Sequence, residues 1–522
     1  MKKRFIQDGV CFAVLVLMLI ILLAAICLVN LCAYPQWYHS DMYLDILYAS
    51  KAWKEKSLFP ENWMFGNQYY VVATPVIAAL LCGFWEPPTA MAAASILISF
   101  LIVGSFLWML MPVTESKEAC LVGAVFLIAS YLYFGDAHGD YNGWQLMFTM
   151  CSYYGIYAVN AFLAVGCYLR ARLFGRKSLL LMLAVVCLLS FGTGMQSLRQ
   201  TAIMTCPLIG MEILRCIYCR IRKQPVEKKP LMIVGAISVS NGLGLLLIRI
   251  LDIPRNGIRA SFALPSFSDM LRAIPENLRY AYNIFGVGGR FQRGFLFLMV
   301  LLCLIAVVDI FIRFVRRNEE KPLMLLIFFG IGIVAVFAAG VLAVLTIRMP
   351  YYFMVFPMMA FLIACAYADL GKWGKGLVLT ILLLMMGLSY SDYHRDVLVP
   401  IKNSGDNVYT EVAEYLVENG YTTIYSEWDN CGEDVAIASG CQLQAGFWTW
   451  EYTPYEGIGI LCDPNIYFED PEVCVYLFRG MERVKLGTEG AQKRGVELTQ
   501  LAYFPEGDLY LFSAPVNLMR LR

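Results

Sequence analysis

The feature that most limits the fold of this chain is a series of apolar segments that ends near Tyr390. About ten of these segments approach the ~20 residues that a helix needs to cross a membrane. A polar stretch of roughly 130 residues, ample for a separate domain, follows the last segment. Only 16% of the 522 residues are charged, whereas soluble domains usually carry about 25%. The sequence therefore predicts a membrane-embedded helical bundle followed by a water-soluble domain.

The positions of lysine and arginine predict how the chain is threaded. Short cytoplasmic loops carry an excess of these residues, and the chain begins Met1-Lys2-Lys3-Arg4. With this end in the cytoplasm, about 11 crossings place almost every basic cluster inside and the tail outside. Residues 70–85 are apolar but short and contain Pro75. Counting them as a crossing would move every later basic cluster outside, so we predict an interfacial helix there.

The predicted fold is a multi-pass α-helical membrane protein of about 11 transmembrane helices with a C-terminal extracytoplasmic α/β domain. Residues 1–391 form the transmembrane domain, with an outer loop at 34–69 and the interfacial helix at 70–85. Residues 392–522 form the soluble domain. Hydrophobic periodicity there predicts a helix over 406–420 and strands near 422–426, 473–478 and 509–513. The aromatic cluster Phe447-Trp448-Thr449-Trp450 with Tyr452 and Tyr455 is expected in its core, with a carbohydrate-binding platform as the alternative.

Several functional classes lack support in the sequence. A formal net charge of +1 gives no indication of a nucleic-acid partner. No nucleotide-binding glycine loop, nucleophile elbow or HExxH pattern occurs. Most of the 17 cysteines lie in or beside apolar segments, where cysteine is usually a small hydrophobe. The four in the tail leave disulfide formation open.

One acidic segment follows the first apolar helix and is predicted on the outer face. Ser40 can cap a helix that begins at Asp41, and an acid in the first turn suits the helix dipole. Asp41 and Asp45 then share one face of that helix. Like charges at this spacing repel each other unless a cation or a substrate group lies between them. His39 precedes the pair. The alternative is a solvated helix start.

A second acidic segment is predicted outside, in the short loop that contains Asp136, His138 and Asp140. These three side chains have the chemistry of metal ligands, but their spacing is not specific for a metal. The alternative is a polar turn. The metal therefore stays unknown, no cofactor is certain, and a divalent cation is left open.

Two arginines, Arg199 and Arg348, lie at the predicted outer ends of apolar helices. An arginine at this position often anchors a helix at the membrane interface. The planar guanidinium is also suited to a lipid phosphate or diphosphate. The outer loop over 252–293 holds six further arginines beside three acids, which would suit an anionic lipid carrier.

The order of these elements resembles the GT-C superfamily of polyprenyl-phosphate-dependent glycosyltransferases, which includes the protein O-mannosyltransferases and the aminoarabinose transferase acting on lipid A. The stretch from Ser40-Asp41-Met42-Tyr43-Leu44-Asp45 through Leu58-Phe59-Pro60-Glu61-Asn62-Trp63 is similar to the first loop of uncharacterised bacterial members. In the O-mannosyltransferases an acidic pair stands in tandem, whereas Met42 follows Asp41 here. The resemblance therefore leaves the class of acceptor open.

The resemblance implies an inverting glycosyltransferase that moves a sugar from a polyprenyl-phosphate donor to an envelope glycan, glycolipid or protein. Asp41 would be the catalytic base, and Arg199 and Arg348 would bind the lipid phosphate. The acceptor or a metal would be oriented by the remaining candidates, which are Asp136, Asp140, His138, Asp45 and His39. The expected partners are the lipid-linked sugar, membrane lipid and the acceptor, in a bacterial plasma membrane.

Two alternatives remain for function. One is a transporter or export scaffold for envelope polysaccharide. Transporters often show internal repeats and broken helices at the membrane midplane, and this sequence shows no convincing repeat. The other is a GT-C relative that binds glycolipid without catalysis. In this chain the unusual polar residues are predicted at one membrane face, which favours interfacial chemistry over transport.

Overall fold

The structure is a computed structural model. It describes residues 2–32, 40–66, 68–134, 147–148, 151–253, 266–283, 290–343, 349–394, 398–399, 408–428, 431–449, 454–459, 461–468 and 473–521. Helices dominate up to Tyr393, and all the strands follow them. The boundary between apolar helices and a polar sheet region therefore falls where the hydropathy changes.

Fourteen helices are described before the sheet region. They are α1 Lys2–Cys32, α2 Ser40–Glu55, α3 Thr74–Leu81, α4 Pro87–Thr114, α5 Lys117–Phe134, α6 Cys151–Leu169, α7 Lys177–Gln196, α8 Cys206–Ile221, α9 Lys228–Ile250, α10 Phe267–Asn283, α11 Arg290–Arg317, α12 Glu320–Ala343, α13 Val355–Asp369 and α14 Lys372–Tyr393.

The predicted crossings lie at residues 11–33, 90–111, 119–134, 146–169, 178–195, 201–217, 231–251, 294–313, 323–347, 351–370 and 376–391, and each overlaps one of these helices. Among the described residues, seven helical segments are long and apolar enough to cross a membrane, including Gly9–Cys32 and Pro87–Thr114. Two shorter apolar helices, Tyr154–Leu169 and Val355–Asp369, accompany them. In contrast, α3 has eight residues and rises about 12 Å, less than half of a hydrocarbon core. Pro75 lies in its first turn, where a missing N–H is harmless.

The chain divides into two compact units. The first contains Met1–Val29, Ser95–Ile250 and Ala260–Leu398, and the second contains Asn30–Ala94, Leu251–Arg259 and Val399–Arg522. The first unit is a helical bundle in which α7 packs on α9, α5 on α13, and α8 on α12.

Small residues bring α7 and α9 into close contact. A Cβ added at Gly244 would lie 2.1 Å from the carbonyl oxygen of Phe191, and one at Gly194 would lie 2.4 Å from that of Asn241. The Asn241 side-chain amide of α9 also donates to the carbonyl oxygen of Ser190 on α7 at 3.3 Å. Glycine and hydrogen-bonded polar residues thus join these helices where no hydrophobic driving force is available.

One buried arginine joins three helices of the bundle. Arg313 on α11 forms an ion pair with Asp309, one turn earlier, at 2.7 Å. It also lies 3.0 Å from Asp369 at the end of α13 and 3.8 Å from Glu319, just before α12. The local pair of Asp309 and Arg313 expected from their four-residue spacing is therefore present.

The second unit is built around a seven-stranded sheet with the strand order β5-β6-β4-β1-β2-β3-β7. The strands are β1 Thr423–Glu427, β2 Gln444–Trp448, β3 Glu456–Gly457, β4 Cys474–Arg479, β5 Thr499–Phe504, β6 Leu509–Ala514 and β7 Arg520–Leu521. The helices of this region are α15 Val408–Glu418, α16 Gly432–Ala438 and α17 Met481–Gln492. β1 pairs in parallel with both β2 and β4, whereas β6 is antiparallel to β4 and β5.

Aromatic side chains fill the core of this sheet. Trp448, Tyr425, Tyr455 and Tyr476 are fully buried and contact one another. Of the aromatic cluster expected in the core, Phe447, Trp448 and Tyr455 are buried as predicted, and Trp450 and Tyr452 lie outside the described residues. The four tail cysteines are buried free thiols: Cys431, Cys441, Cys462 and Cys474. Burial raises the pKa of Cys441 and of Cys462 to about 12.

The loop after α1 is part of the same compact unit as the sheet. Lys51 of α2 forms an ion pair with Asp463 at 3.1 Å, and the Lys54 ammonium donates to the carbonyl oxygen of Cys441 at 3.1 Å. Met64 exchanges backbone hydrogen bonds with the segment at Leu461 and Cys462. These contacts fix the loop helix to the tail.

Candidate functional site

In the first unit, the candidate arginine Arg199 lies in the short turn that follows α7. The helix ends at Gln196, and a π-helical turn over Thr201–Thr205 begins directly after Gln200. The backbone N–H of Arg199 donates to the hydroxyl of Ser197 at 3.1 Å. Single π-helical turns inside helical segments are rare and occur frequently at functional sites.

Tyrosines surround the Arg199 guanidinium. Its Nη2 donates to the Tyr351 hydroxyl at 3.2 Å. Its Cζ lies 5.1 Å from the ring centroid of Tyr351 and 5.6 Å from that of Tyr154. Burial lowers the pKa of Arg199, but the phenol oxygens of Tyr351, Tyr154 and Tyr157 outweigh that effect and raise it. The structure therefore holds a permanent positive charge in a fixed orientation.

A second layer of hydrogen bonds supports this turn. Gln196 donates to the Tyr157 hydroxyl at 3.2 Å, and Tyr157 lies 3.2 Å from the hydroxyl of Ser197. Gln200 is fully buried and donates to the sulfur of Met204 at 2.9 Å. Among the described residues, the Gln200 carbonyl oxygen and the buried Tyr352 hydroxyl have no hydrogen-bond partner.

In the second unit, the candidate Asp45 is a buried carboxylate. It is 1% exposed on α2 and accepts a hydrogen bond from the Tyr70 hydroxyl. Tyr48, one turn further along, packs edge-on against Tyr70 with ring centroids 4.7 Å apart, and against Trp63 at 5.8 Å. Burial, and secondarily the negative charge of Asp45, raises the pKa of Tyr48. The Asp45 carboxylate therefore lies beside a cluster of aromatic side chains.

The remaining candidates differ in what the structure describes. Asp41 lies in the first turn of α2, and the helical period puts it on the same face as Asp45; its side chain is outside the described set. The other predicted site residues are also outside the described residues: His39, Asp136, His138, Asp140 and Arg348. Their roles stay predictions.

In the parts of the chain that the structure describes, no three His, Cys, Asp or Glu side chains form a group that could hold a metal ion. The sequence candidates for such a group, Asp136, His138 and Asp140, lie outside those parts.

The tyrosines of the Arg199 and Asp45 clusters were not among the predicted site residues. Tyr351 and Tyr154 are distant from Arg199 along the chain, and Tyr70 is 25 residues from Asp45. The only local signal was the occurrence of paired tyrosines at the ends of apolar helices, as at Tyr351-Tyr352. Such pairs are common interfacial anchors, so the pattern alone does not indicate a site.

Comparison with known proteins gives a likeness of fold. No family model matches the sequence, and no curated protein matches it. The chain is similar to a crystal structure of ArnT from Cupriavidus metallidurans bound to undecaprenyl phosphate. The TM-score is 0.52 at 9% identity, and the alignment covers 97% of this chain and 99% of that one. The chain therefore shares the fold of that structure, with apolar helices long enough to cross a membrane followed by a sheet domain.

Proposed function

We propose that this protein is a membrane glycosyltransferase that takes a sugar from a polyprenyl-phosphate donor. The observation that carries the proposal is the likeness of fold, over nearly the whole chain, to ArnT crystallised with undecaprenyl phosphate. The proposed site of action is the extracytoplasmic face of a bacterial plasma membrane. The proposed acceptor is an envelope glycan, a glycolipid or a protein.

The Arg199 cluster supports the binding of a lipid phosphate. A guanidinium stays charged at every physiological pH and matches the geometry of phosphate oxygens. The hydrogen bond from Arg199 to Tyr351 restricts its side chain, so less rotational freedom is lost when an anion binds. Arg348 is proposed as a second cation for the same phosphate.

The proposed chemistry is an inverting displacement. The carboxylate of Asp41 removes the proton of an acceptor hydroxyl while that oxygen attacks the anomeric carbon. The bond from this carbon to the phosphate oxygen breaks, and polyprenyl phosphate leaves with the electron pair. General-base assistance of this kind accelerates a reaction by roughly 10²–10⁴-fold. The residues proposed to orient the acceptor or a divalent cation are Asp45, His39, Asp136, His138 and Asp140.

Two experiments, one on binding and one on turnover, test different parts of this proposal. In the binding test, the full-length protein in nanodiscs is titrated with undecaprenyl phosphate and followed by native mass spectrometry. Arg199→Ala should weaken binding by about 10–100-fold, because a hydrogen bond to a charged group contributes about 1.5–3 kcal/mol. The control Arg316→Ala changes an exposed arginine and should bind as the native protein does. Equal affinities of the two variants would remove Arg199 from the site.

In the turnover test, proteoliposomes receive a panel of undecaprenyl-phosphate-linked hexoses and pentoses, and release of undecaprenyl phosphate is measured. Asp41→Asn should lose turnover by about 10²–10⁴-fold while still binding undecaprenyl phosphate. Glu414→Gln, at an exposed position of α15, is the control. Binding without release from any donor would favour the non-catalytic glycolipid-binding alternative. Movement of an intact lipid-linked sugar across the bilayer would favour the transporter.

A further inference from the structure

Helix α10, within the first unit, is amphipathic but cannot serve as a membrane span. It has 17 residues, contains Pro275 and carries four charged side chains. Membrane spans need about 20 mainly apolar residues. The helix begins with a hydrogen bond from the Asp269 backbone N–H to the Ser266 hydroxyl at 3.2 Å.

One face of α10 is packed against the protein. Ala273 and Asn277 are buried on this face, and the Asn277 side chain donates to the carbonyl oxygen of Ala273 at 2.9 Å. The helix contacts α12, which is long and apolar enough to cross a membrane, and the 3-10 turn Met349–Tyr352. The packed face therefore fixes α10 to a membrane helix and to the segment that holds Tyr351.

A second face of α10 carries exposed apolar side chains. Phe267 is 75% exposed, Leu271 51% and Leu278 55%. With about 100° of rotation per residue, these three form one stripe along the helix. The described residues do not cover this stripe.

Two arginines border one side of the apolar stripe. Arg272 and Arg279 are exposed and are seven residues apart, so they align on one side of it. Asp269 and Glu276 are also seven residues apart and lie beyond the arginines around the helix. An apolar face bordered by basic residues is the pattern of a helix that lies in a membrane surface. The arginine stems can pack along acyl chains while the guanidinium groups reach lipid phosphates.

We propose that α10 is an interfacial helix whose partner is the anionic lipid surface of the bilayer. Phe267, Leu271 and Leu278 enter the acyl region, and Arg272 and Arg279 bind lipid phosphates. Because α10 also packs on the turn Met349–Tyr352, the lipid surface would help to fix the position of Tyr351. This inference goes beyond the proposed transferase function and does not depend on it.

Photocrosslinking tests which partner covers the stripe. The photoreactive residue p-benzoylphenylalanine is incorporated at position 267, 271 or 278 of the full-length protein, and at exposed position 276 as a control. At 267 it replaces another aromatic residue, so this variant should fold normally. The proteins are reconstituted in vesicles of three parts dioleoylphosphatidylcholine to one part dioleoylphosphatidylglycerol. After irradiation, mass spectrometry should find phospholipid adducts at 267, 271 and 278 several times more often than at 276.

A charge-reversal variant tests the arginines. Replacing phosphatidylcholine vesicles with the mixed anionic vesicles should raise the lipid adduct yield at position 278. The rise should disappear with Arg272→Glu plus Arg279→Glu, because each basic residue changes the affinity for an anionic surface by about fivefold. Equal lipid adducts at 276 and 278, or adducts to a second copy of the chain or another protein, would overturn the proposal. Photocrosslinking requires neither donor binding nor turnover. A failure of the interfacial-helix proposal is therefore distinguishable from a failure of the transferase proposal.

Discussion

The guanidinium of Arg199 donates a hydrogen bond of 3.2 Å to the hydroxyl of Tyr351, although 152 residues separate them in the chain. Tyr154 packs edge-on against Tyr351 with ring centroids 6.1 Å apart. The contact joins the turn after α7 to the turn before α13. It holds a positive charge among aromatic rings, which is the feature of the first unit best suited to an anionic ligand.

The Tyr351 hydroxyl should contribute to ligand affinity through this contact. Tyr351→Phe keeps the ring and removes only the acceptor of the Arg199 hydrogen bond. We expect undecaprenyl phosphate to bind about two- to tenfold more weakly, the equivalent of one lost hydrogen bond. Tyr390→Phe, at an exposed tyrosine of α14, is the control. Unchanged affinity in Tyr351→Phe would show that the hydrogen bond does not position Arg199 for the phosphate.

The glycines at the contact between α7 and α9 should not be replaceable by larger residues without a loss of stability. Gly244→Ala places a methyl group 2.1 Å from the carbonyl oxygen of Phe191, so the helices must separate. We expect a loss of about 1–3 kcal/mol in the free energy of unfolding, as in other overpacked sites. The measurement is denaturation in detergent micelles. Gly242→Ala on the same helix meets no atom within 4 Å and should be neutral, so equal losses in both variants would contradict the packing argument.

The ion pair of Lys51 and Asp463 should couple the loop helix to the tail. A double-mutant cycle with Lys51→Met and Asp463→Asn should give an interaction energy of about 0.5–1 kcal/mol, because the pair is only partly buried. The control cycle uses Lys321 and Glu115, which are 3.8 Å apart and more exposed, and should give no measurable coupling. An interaction energy of zero in the first cycle would mean that the ion pair does not stabilise the contact between the loop helix and the tail.

The pH dependence of this coupling follows from the Lys51 pKa. Burial lowers the pKa of Lys51, but hydrogen bonds to Glu55 and Asp463 outweigh that effect and raise it above the ordinary value of 10.5. The ammonium form is therefore stabilised in the folded chain. Its contribution should be complete at neutral pH and should be lost only as the pH rises beyond 10.5. A coupling energy that falls between pH 7 and pH 9 would contradict this assignment.

The predicted topology can be tested by introducing one additional cysteine at a time. Lys485→Cys introduces an exposed thiol on α17 of the tail, and Arg316→Cys introduces one at the end of α11. A membrane-impermeant maleimide should label position 485 in intact cells and position 316 only after permeabilisation. The native protein serves as the background control. The opposite pattern would place the tail in the cytoplasm and remove the basis for extracytoplasmic transfer.

Local elements were predictable because short-range patterns determine them. The tail helix expected over 406–420 is described over Val408–Glu418, and Gly420 adopts a positive φ of 76° just after it. The strand expected over 509–513 is observed over Leu509–Ala514. Asp309 and Arg313 pair as their spacing predicts, since residues four apart on a helix are neighbours.

The candidate site was less predictable. The sequence indicated Asp45 by its spacing from Asp41 and Arg199 by its position at a helix end, but it held no reason to connect Asp45 with Tyr70 or Arg199 with Tyr351. Each of these contacts depends on which segments pack together, and many packings are compatible with the same apolar helices. Helix α10 was not predicted, because residues 252–293 were expected to form an outer loop, and only the burial pattern separates its packed face from its exposed apolar face.

The sequence alone specifies where the chain forms apolar helices, where the sheet region begins and which charged residues lie at helix ends. These properties depend on hydropathy and on side chains within one or two helical turns. Tertiary structure decided that tyrosines from two distant segments enclose Arg199 and that Lys51 meets Asp463, 412 residues away. Long-range contacts of this kind arise from the packing of whole elements, which no local spacing encodes.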